Sequence, residues 1–109
     1  MRDFKKGMTI VSGVYEAAKF FPKEEPYGLR SQTIRSAVSI PTNIAEGSAK
    51  KREKEYRHYA EIALGSAFEL ETHLLIIQQQ SWFPEDKMDS LLALTSEEQK
   101  MLTTFINKL

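Results

Sequence analysis

Apolar residues recur at intervals of three and four along almost the whole chain, the period of a helix with one buried face. Phe4, Met8, Val11, Tyr15 and Ala18 carry that spacing first and predict helix one over about residues 3–21, weakened locally by Gly7 and Gly13. Pro22 and Pro26 bracket Lys23-Glu24-Glu25 and mark a connection. Helix two is predicted from about Tyr27 to Glu46, with Tyr27, Ile34, Ala37, Val38, Pro41, Ile44 and Ala45 on its apolar face. Gly47 follows as a C-terminal cap, because glycine tolerates positive φ. Helix three is the longest, from about Ala49 to Gln80, and Tyr56, Ala60, Ala63, Ala67, Leu70, Leu74 and Ile77 form a strict heptad stripe along it. Tyr59, Ile62 and Ile76 flank the stripe, so two buried faces are expected, and Gly65 and Ser66 are small enough to let a neighbouring helix come close. Ser81-Trp82-Phe83-Pro84 breaks the pattern, with Trp82 and Phe83 expected to cap the end of the bundle. Pro84 followed by Glu85-Asp86 opens helix four, which carries Met88, Leu91, Leu92, Met101, Leu102, Phe105, Ile106 and Leu109. Thr95-Ser96-Glu97-Glu98 reads as a capping box and predicts an interruption near Leu94. No segment shows strand alternation. Four amphipathic helices on short loops predict an all-α, antiparallel up-down four-helix bundle, one domain over residues 1–109.

Pro41 stands inside helix two. A proline there removes one hydrogen bond and clashes with the preceding turn, at a cost of about 3 kcal/mol. A kink is therefore expected at Pro41, with the carbonyl of Ala37 freed for packing or recognition. On the other side of the same helix, Gln32, Ser36, Ser39, Asn43 and Glu46 keep a four-three polar seam, with Arg35 beside it. The seam either faces open water or forms an inter-helix or inter-subunit network, in which case every member needs a partner. Glu69 and Glu71 on helix three are candidates to pair with Arg30 or Arg35.

Composition adds limits. The chain has 109 residues, 41% of them hydrophobic, enough for one core, though a domain this small gains from oligomerisation. It has no cysteine, which removes disulfides, thiolate zinc sites and thiol nucleophiles and suits a reducing cytoplasm. The first residues lack a signal-peptide core, and no window is apolar enough for a membrane span. The net charge is zero but unevenly placed: residues 1–58 carry 12 Lys and Arg against 7 Asp and Glu, and residues 59–109 carry 3 against 8. In a compact bundle this predicts a dipolar surface, or opposite charges meeting between subunits.

The segments Phe21-Pro22-Lys23-Glu24-Glu25, Tyr27-Gly28-Leu29 with Gln32, Ser39-Ile40-Pro41, Asn43-Ile44-Ala45-Glu46-Gly47, and Gly65-Ser66 with Glu69-Leu70-Glu71 fall in a fixed order along the chain. Together they resemble the 23S rRNA intervening-sequence proteins over nearly the whole length. That resemblance implies a small four-helix bundle, a homo-oligomer (a pentamer in the family) and, by analogy with retroelement accessory relatives, contact with nucleic acid. It marks Gln32, Arg35, Ser39, Pro41, Asn43, Glu46, Gly47, Glu69 and Glu71 as motif positions with a structural or interface role. Those nucleic-acid-binding relatives are strongly basic, whereas this chain has no net charge, so any phosphate contact must come from a local patch.

Lys50, Lys51, Arg52, Lys54 and Arg57 are that patch. Cations at a helix start oppose the helix dipole, a placement that suits an anion, and the backbone N–H groups of Ser48 and Ala49 would add donors. The plain alternative is a solvated charged turn, softened by Glu53 and Glu55. Glu55 and His58 have the Glu-x-x-His spacing of di-iron bundles, but the second such unit is missing; Glu69 and His73 could hold an adventitious ion only. No nucleophile elbow, phosphate loop or His-Glu-x-x-His motif occurs, so neither an enzyme nor a cofactor is expected. The expected function is a non-catalytic, cytoplasmic homo-oligomeric bundle that contacts RNA or a ribonucleoprotein through the start of helix three. The alternative is a scaffold whose partner is another polypeptide.

Overall fold

The computed structural model describes residues 1–25 and 27–109. Pro26, expected to share the first connection with Pro22, lies outside the described residues, as does the side chain of Tyr27. Four helices account for nearly all the rest: α1 (Arg2–Ala18), α2 (Tyr27–Ser48), α3 (Glu53–Gln80) and α4 (Glu85–Lys108). Each helix packs on its neighbour in the chain, and α1 closes the square against α4. Partners run in opposite directions along each pair. Lys6 meets Glu97 and Glu16 meets Lys87 between α1 and α4. Ser36 meets His73 and Ser39 meets Ser66 between α2 and α3. The result is a rod 45 × 24 × 18 Å.

The core follows the heptad stripe of α3: Ala60, Ala63, Ala67, Leu70, Leu74 and Ile77 are buried, while Tyr56 at its head is half-buried. Burying each large member contributes about 1.5–3 kcal/mol. Of the residues expected to form a second buried face on α3, Tyr59 is half-buried against Gly47, whereas Ile62 and Ile76 are exposed, as are Phe68 and Leu75. On α1 the buried face is Gly7, Ile10, Val14, Ala17 and Ala18, so the expected stripe is displaced by about one residue, and Met8 and Tyr15 point outward. Both stripes have helical spacing, but only the one with small residues allows close approach. A Cβ on Gly13 would meet Leu91 Cδ1 at 2.9 Å, and one on Gly7 would meet Ile40 Cγ2 and Pro41 Cβ at 3.4 Å.

α2 runs through Pro41, whose ring is buried beside Gly7. Thr33, Ser36, Ala37, Ile40 and Ile44 share its buried side, whereas Val38 and Ala45, expected there, are exposed. The hydroxyls of Thr33 and Ser36 satisfy themselves by donating to the carbonyls of Leu29 and Thr33, at 2.7 and 3.0 Å. Gly47 is not a positive-φ cap: α2 continues to Ser48, and no described glycine has positive φ. Its role is steric. A Cβ there would meet Tyr59 Cβ at 2.9 Å and the Tyr56 ring at 3.2 Å, so Gly47 lets the end of α2 lie against the start of α3.

α4 is unbroken, which overturns the interruption expected near Leu94. Thr95 is buried mid-helix and its Oγ1 donates to the Leu91 carbonyl at 2.8 Å, four residues back, instead of capping a new helix. Phe20 packs edge-on to Phe83 and Phe21 lies against Trp82, with ring centroids 5.3 and 5.2 Å apart, so Trp82 and Phe83 do cover one end of the bundle. At that end Arg30 donates from Nη1 to the Ala18 carbonyl at 2.6 Å, a cation on the last turn of α1 where the dipole favours it.

Candidate functional site

The basic run falls in the turn between α2 and α3 and the first turns of α3. α3 starts at Glu53, not near Ala49, because the Ala49 and Lys50 amides still donate to Glu46 and Gly47 in the final turn of α2. The Ala49 N–H is therefore engaged and Ser48 lies within α2, so neither supplies the free anion donor expected of it. Among the basic residues, Lys50 reaches Glu46 at 3.8 Å and lies over the Tyr59 ring at 5.3 Å, and Arg57 reaches Glu61 at 3.6 Å. Lys51, Arg52 and Lys54 have no carboxylate within ion-pair distance among the described residues, and all three are exposed.

The polar seam of α2 divides by position. Gln32, Arg35 and Glu46 are exposed, while Ser36, Ser39 and Asn43 turn toward α3. Ser39 Oγ and Ser66 Oγ share a 2.7 Å hydrogen bond, Asn43 Nδ2 donates to Ser39 Oγ at 2.9 Å, and Ser36 Oγ lies 3.4 Å from His73 Nδ1. Small side chains bridge the two helices here, which fits their close approach. Neither Glu69 nor Glu71 pairs with Arg30 or Arg35: Glu69 is exposed, and Glu71 Oε1 instead lies 3.4 Å from Gln99 Nε2 of α4. A Cβ on Gly65 would have nothing within 4 Å, so within the chain no helix approaches it. His58 is exposed against Tyr59, and no group of three or more metal-ligating side chains gathers among the described residues.

Sequence reasoning missed Glu98. It is fully buried, and neither carboxyl oxygen has a hydrogen-bond partner among the described residues. Its Oε2 would lie 3.1 Å from a Cβ on Gly7, so the absent side chain at Gly7 makes room for it. Burial, aided by Asp3 and partly offset by Lys6, pushes the carboxyl up to about 8. Lys6 itself is engaged with Glu97 at 2.6 Å. The signal was present: Leu91, Thr95, Glu98 and Leu102 continue the core spacing of α4, and the capping-box reading obscured it.

Folding also re-sorts the charge. The starts of α1 and α3 and the ends of α2 and α4 share one half of the rod. Arg2, Lys5, Lys6, Lys50, Lys51, Arg52, Lys54, Arg57, Lys100 and Lys108 lie in it against Asp3, Glu46, Glu53, Glu55, Glu61 and Glu97, and Glu98 there is neutral near pH 7. The other half holds Lys19, Lys23, Arg30, Arg35 and Lys87 against Glu16, Glu24, Glu25, Glu69, Glu71, Glu85, Asp86 and Asp89. The imbalance between sequence halves becomes a polarity along the rod.

These features define a small polar-ended four-helix bundle. The description "23S rRNA-intervening sequence protein" matches residues 2–104, and the chain belongs to that family. Its fold is similar to the crystal structure of a protein of unknown function from the S23 ribosomal protein family of Bacteroides thetaiotaomicron, with a TM-score of 0.87 at 23% identity over 95% of this chain and 97% of that one. No curated protein matches the chain. No helix among the described residues is long and apolar enough to cross a membrane.

Proposed function

We propose that this chain is a non-catalytic, cytoplasmic RNA-binding module that works as a homo-oligomer. The observation that carries the binding reading is the cluster of Lys51, Arg52 and Lys54, exposed and without carboxylate partners at the positive end of a rod whose total charge is zero. A cation already paired has less to gain from a phosphate than a free one, so these three form the contact, with Lys50 and Arg57 at its edge. Family membership supports an RNA as the anion. A ring of copies would repeat the patch, and repetition converts weak single contacts into useful avidity.

The test is fluorescence anisotropy with a structured ribosomal RNA fragment across a salt series. Binding should fall steeply with salt, and Lys51→Glu/Arg52→Glu/Lys54→Glu should abolish it while leaving the helical circular-dichroism signal unchanged. Undiminished binding by that variant would sink the proposed surface. The exposed apolar face of α3 supports the oligomer, and it also keeps open a scaffold reading in which another polypeptide docks there. Recovery of one protein partner from nuclease-treated lysate, with no RNA binding by the purified chain, would favour the scaffold.

A further inference from the structure

A groove of about 510 Å³ opens at the positive end, between the first turn of α1, the first turns of α3 and the last turns of α4. Its walls carry Arg2, Lys100 and Lys108, and its apolar floor includes Tyr56 and Phe105, whose ring centroids are 4.9 Å apart. We propose that this groove holds an unpaired nucleotide of a single-stranded RNA, with the base against the Tyr56–Phe105 floor and the flanking phosphates on Arg2, Lys100 and Lys108. The inference rests on the RNA-binding reading above and adds a second surface to it, distinct from Lys51, Arg52 and Lys54.

The charge, spacing and aromatic character of the lining favour this occupant. Arg2, Lys100 and Lys108 have no carboxylate within ion-pair distance among the described residues, so their charge is available. The one acid in the groove, Asp3, accepts the Phe4 N–H at 2.8 Å, which leaves three cations facing a single carboxylate. Lys100 and Lys108 lie eight residues apart on one helix, a rise of roughly 12 Å. That separation is wider than the spacing of adjacent phosphates, and the flexible four-carbon stems of the two lysines let their ammonium groups close the difference. Half-buried aromatic rings beside such cations are the combination that binds single strands, because every base has a face to stack. The volume lies in the range of small-ligand sites. A base paired within a duplex is stacked on both faces and cannot lie against these rings without leaving its stack. Tyr56 adds a hydroxyl that is a donor at neutral pH in any case, and burial and Asp3 push its ionisation higher still.

The experiment is anisotropy at low salt with a labelled single strand of about 10 nucleotides and with its duplex. The full chain is compared with Lys100→Glu/Lys108→Glu, with Lys51→Glu/Arg52→Glu/Lys54→Glu, and with Lys19→Glu/Lys23→Glu, a control that changes charge at the opposite end. The single strand should bind at least about tenfold tighter than the duplex, and Lys100→Glu/Lys108→Glu should lose at least about tenfold while the Lys19/Lys23 variant stays near wild type. Equal binding of duplex and single strand, or wild-type affinity in Lys100→Glu/Lys108→Glu, overturns the groove. If only the Lys51/Arg52/Lys54 variant loses binding, the groove fails and the RNA-binding reading stands. If the wild-type chain binds neither RNA, both fail.

Discussion

Glu98 shows what a single residue can cost and why the cost depends on pH. In the folded chain its carboxyl is fully buried without a partner and titrates near pH 8, against an ordinary value of 4.5. Between those limits the folded state holds a proton that the unfolded state has released, so stability falls as pH rises, by up to about 1.4 kcal/mol per pH unit. Below pH 4.5 both states are protonated and the slope vanishes; above about pH 8 both are ionised and the loss is complete. Glu98→Gln keeps the shape of the neutral acid and cannot ionise. Urea denaturation of the variant should therefore show stability that is flat in this group's window, with an advantage over wild type that widens from pH 5 to pH 8. Parallel curves for the two proteins would show that Glu98 finds a partner or water in solution.

At the level of elements, glycines separate close packing from open surface. Gly47 sits where α2 meets α3, with the Tyr59 Cβ 2.9 Å from any Cβ added to it, whereas Gly65 on α3 has nothing within 4 Å. Both lie inside helices, where alanine is better than glycine by about 0.5–1 kcal/mol. Gly65→Ala should gain that amount. Gly47→Ala should lose more than it gains, because shifting a backbone-anchored Cβ and an aromatic ring costs about 1–3 kcal/mol. Thermal and urea unfolding would read the two signs, and stabilisation by both variants would mean that the α2–α3 contact relaxes freely. The same pair marks what was legible in the sequence. The heptad stripe of α3 is regular and apolar, so its burial could be read directly. The faces of α1 and α2 could not, because two apolar stripes compete on α1, and on α2 hydroxyl residues that bond their own carbonyls take core positions. Choosing between such stripes depends on how closely the neighbouring helix comes, and periodicity carries no information on that distance.

At the scale of the whole molecule, the basic run was legible because it is contiguous, while the groove was not, because Arg2, Tyr56 and Lys100 meet only when α1, α3 and α4 pack. Assembly poses a similar question. One face of α3 is the core stripe, and the opposite face carries Ile62, Phe68, Leu75 and Ile76, with Phe68 50% and Leu75 46% exposed. These four fall in two rows about 100° apart around the helix, 62 with 76 and 68 with 75, so they border one outward face with Gly65 between the rows. Glu69 and Gly65 lie on the same outward side, the first giving polarity to the seam and the second giving room for a neighbour. A second copy seated there would bury the largest exposed apolar side chains of the helix. Phe68→Glu/Leu75→Glu would then place two carboxylates in that contact, where desolvation without partners opposes association. Sedimentation velocity should report several chains for the wild-type protein and a single chain for the variant, with the same helical circular-dichroism signal in both. A wild-type protein that sediments as one chain at micromolar concentration would remove the homo-oligomer and leave the α3 face to a different polypeptide.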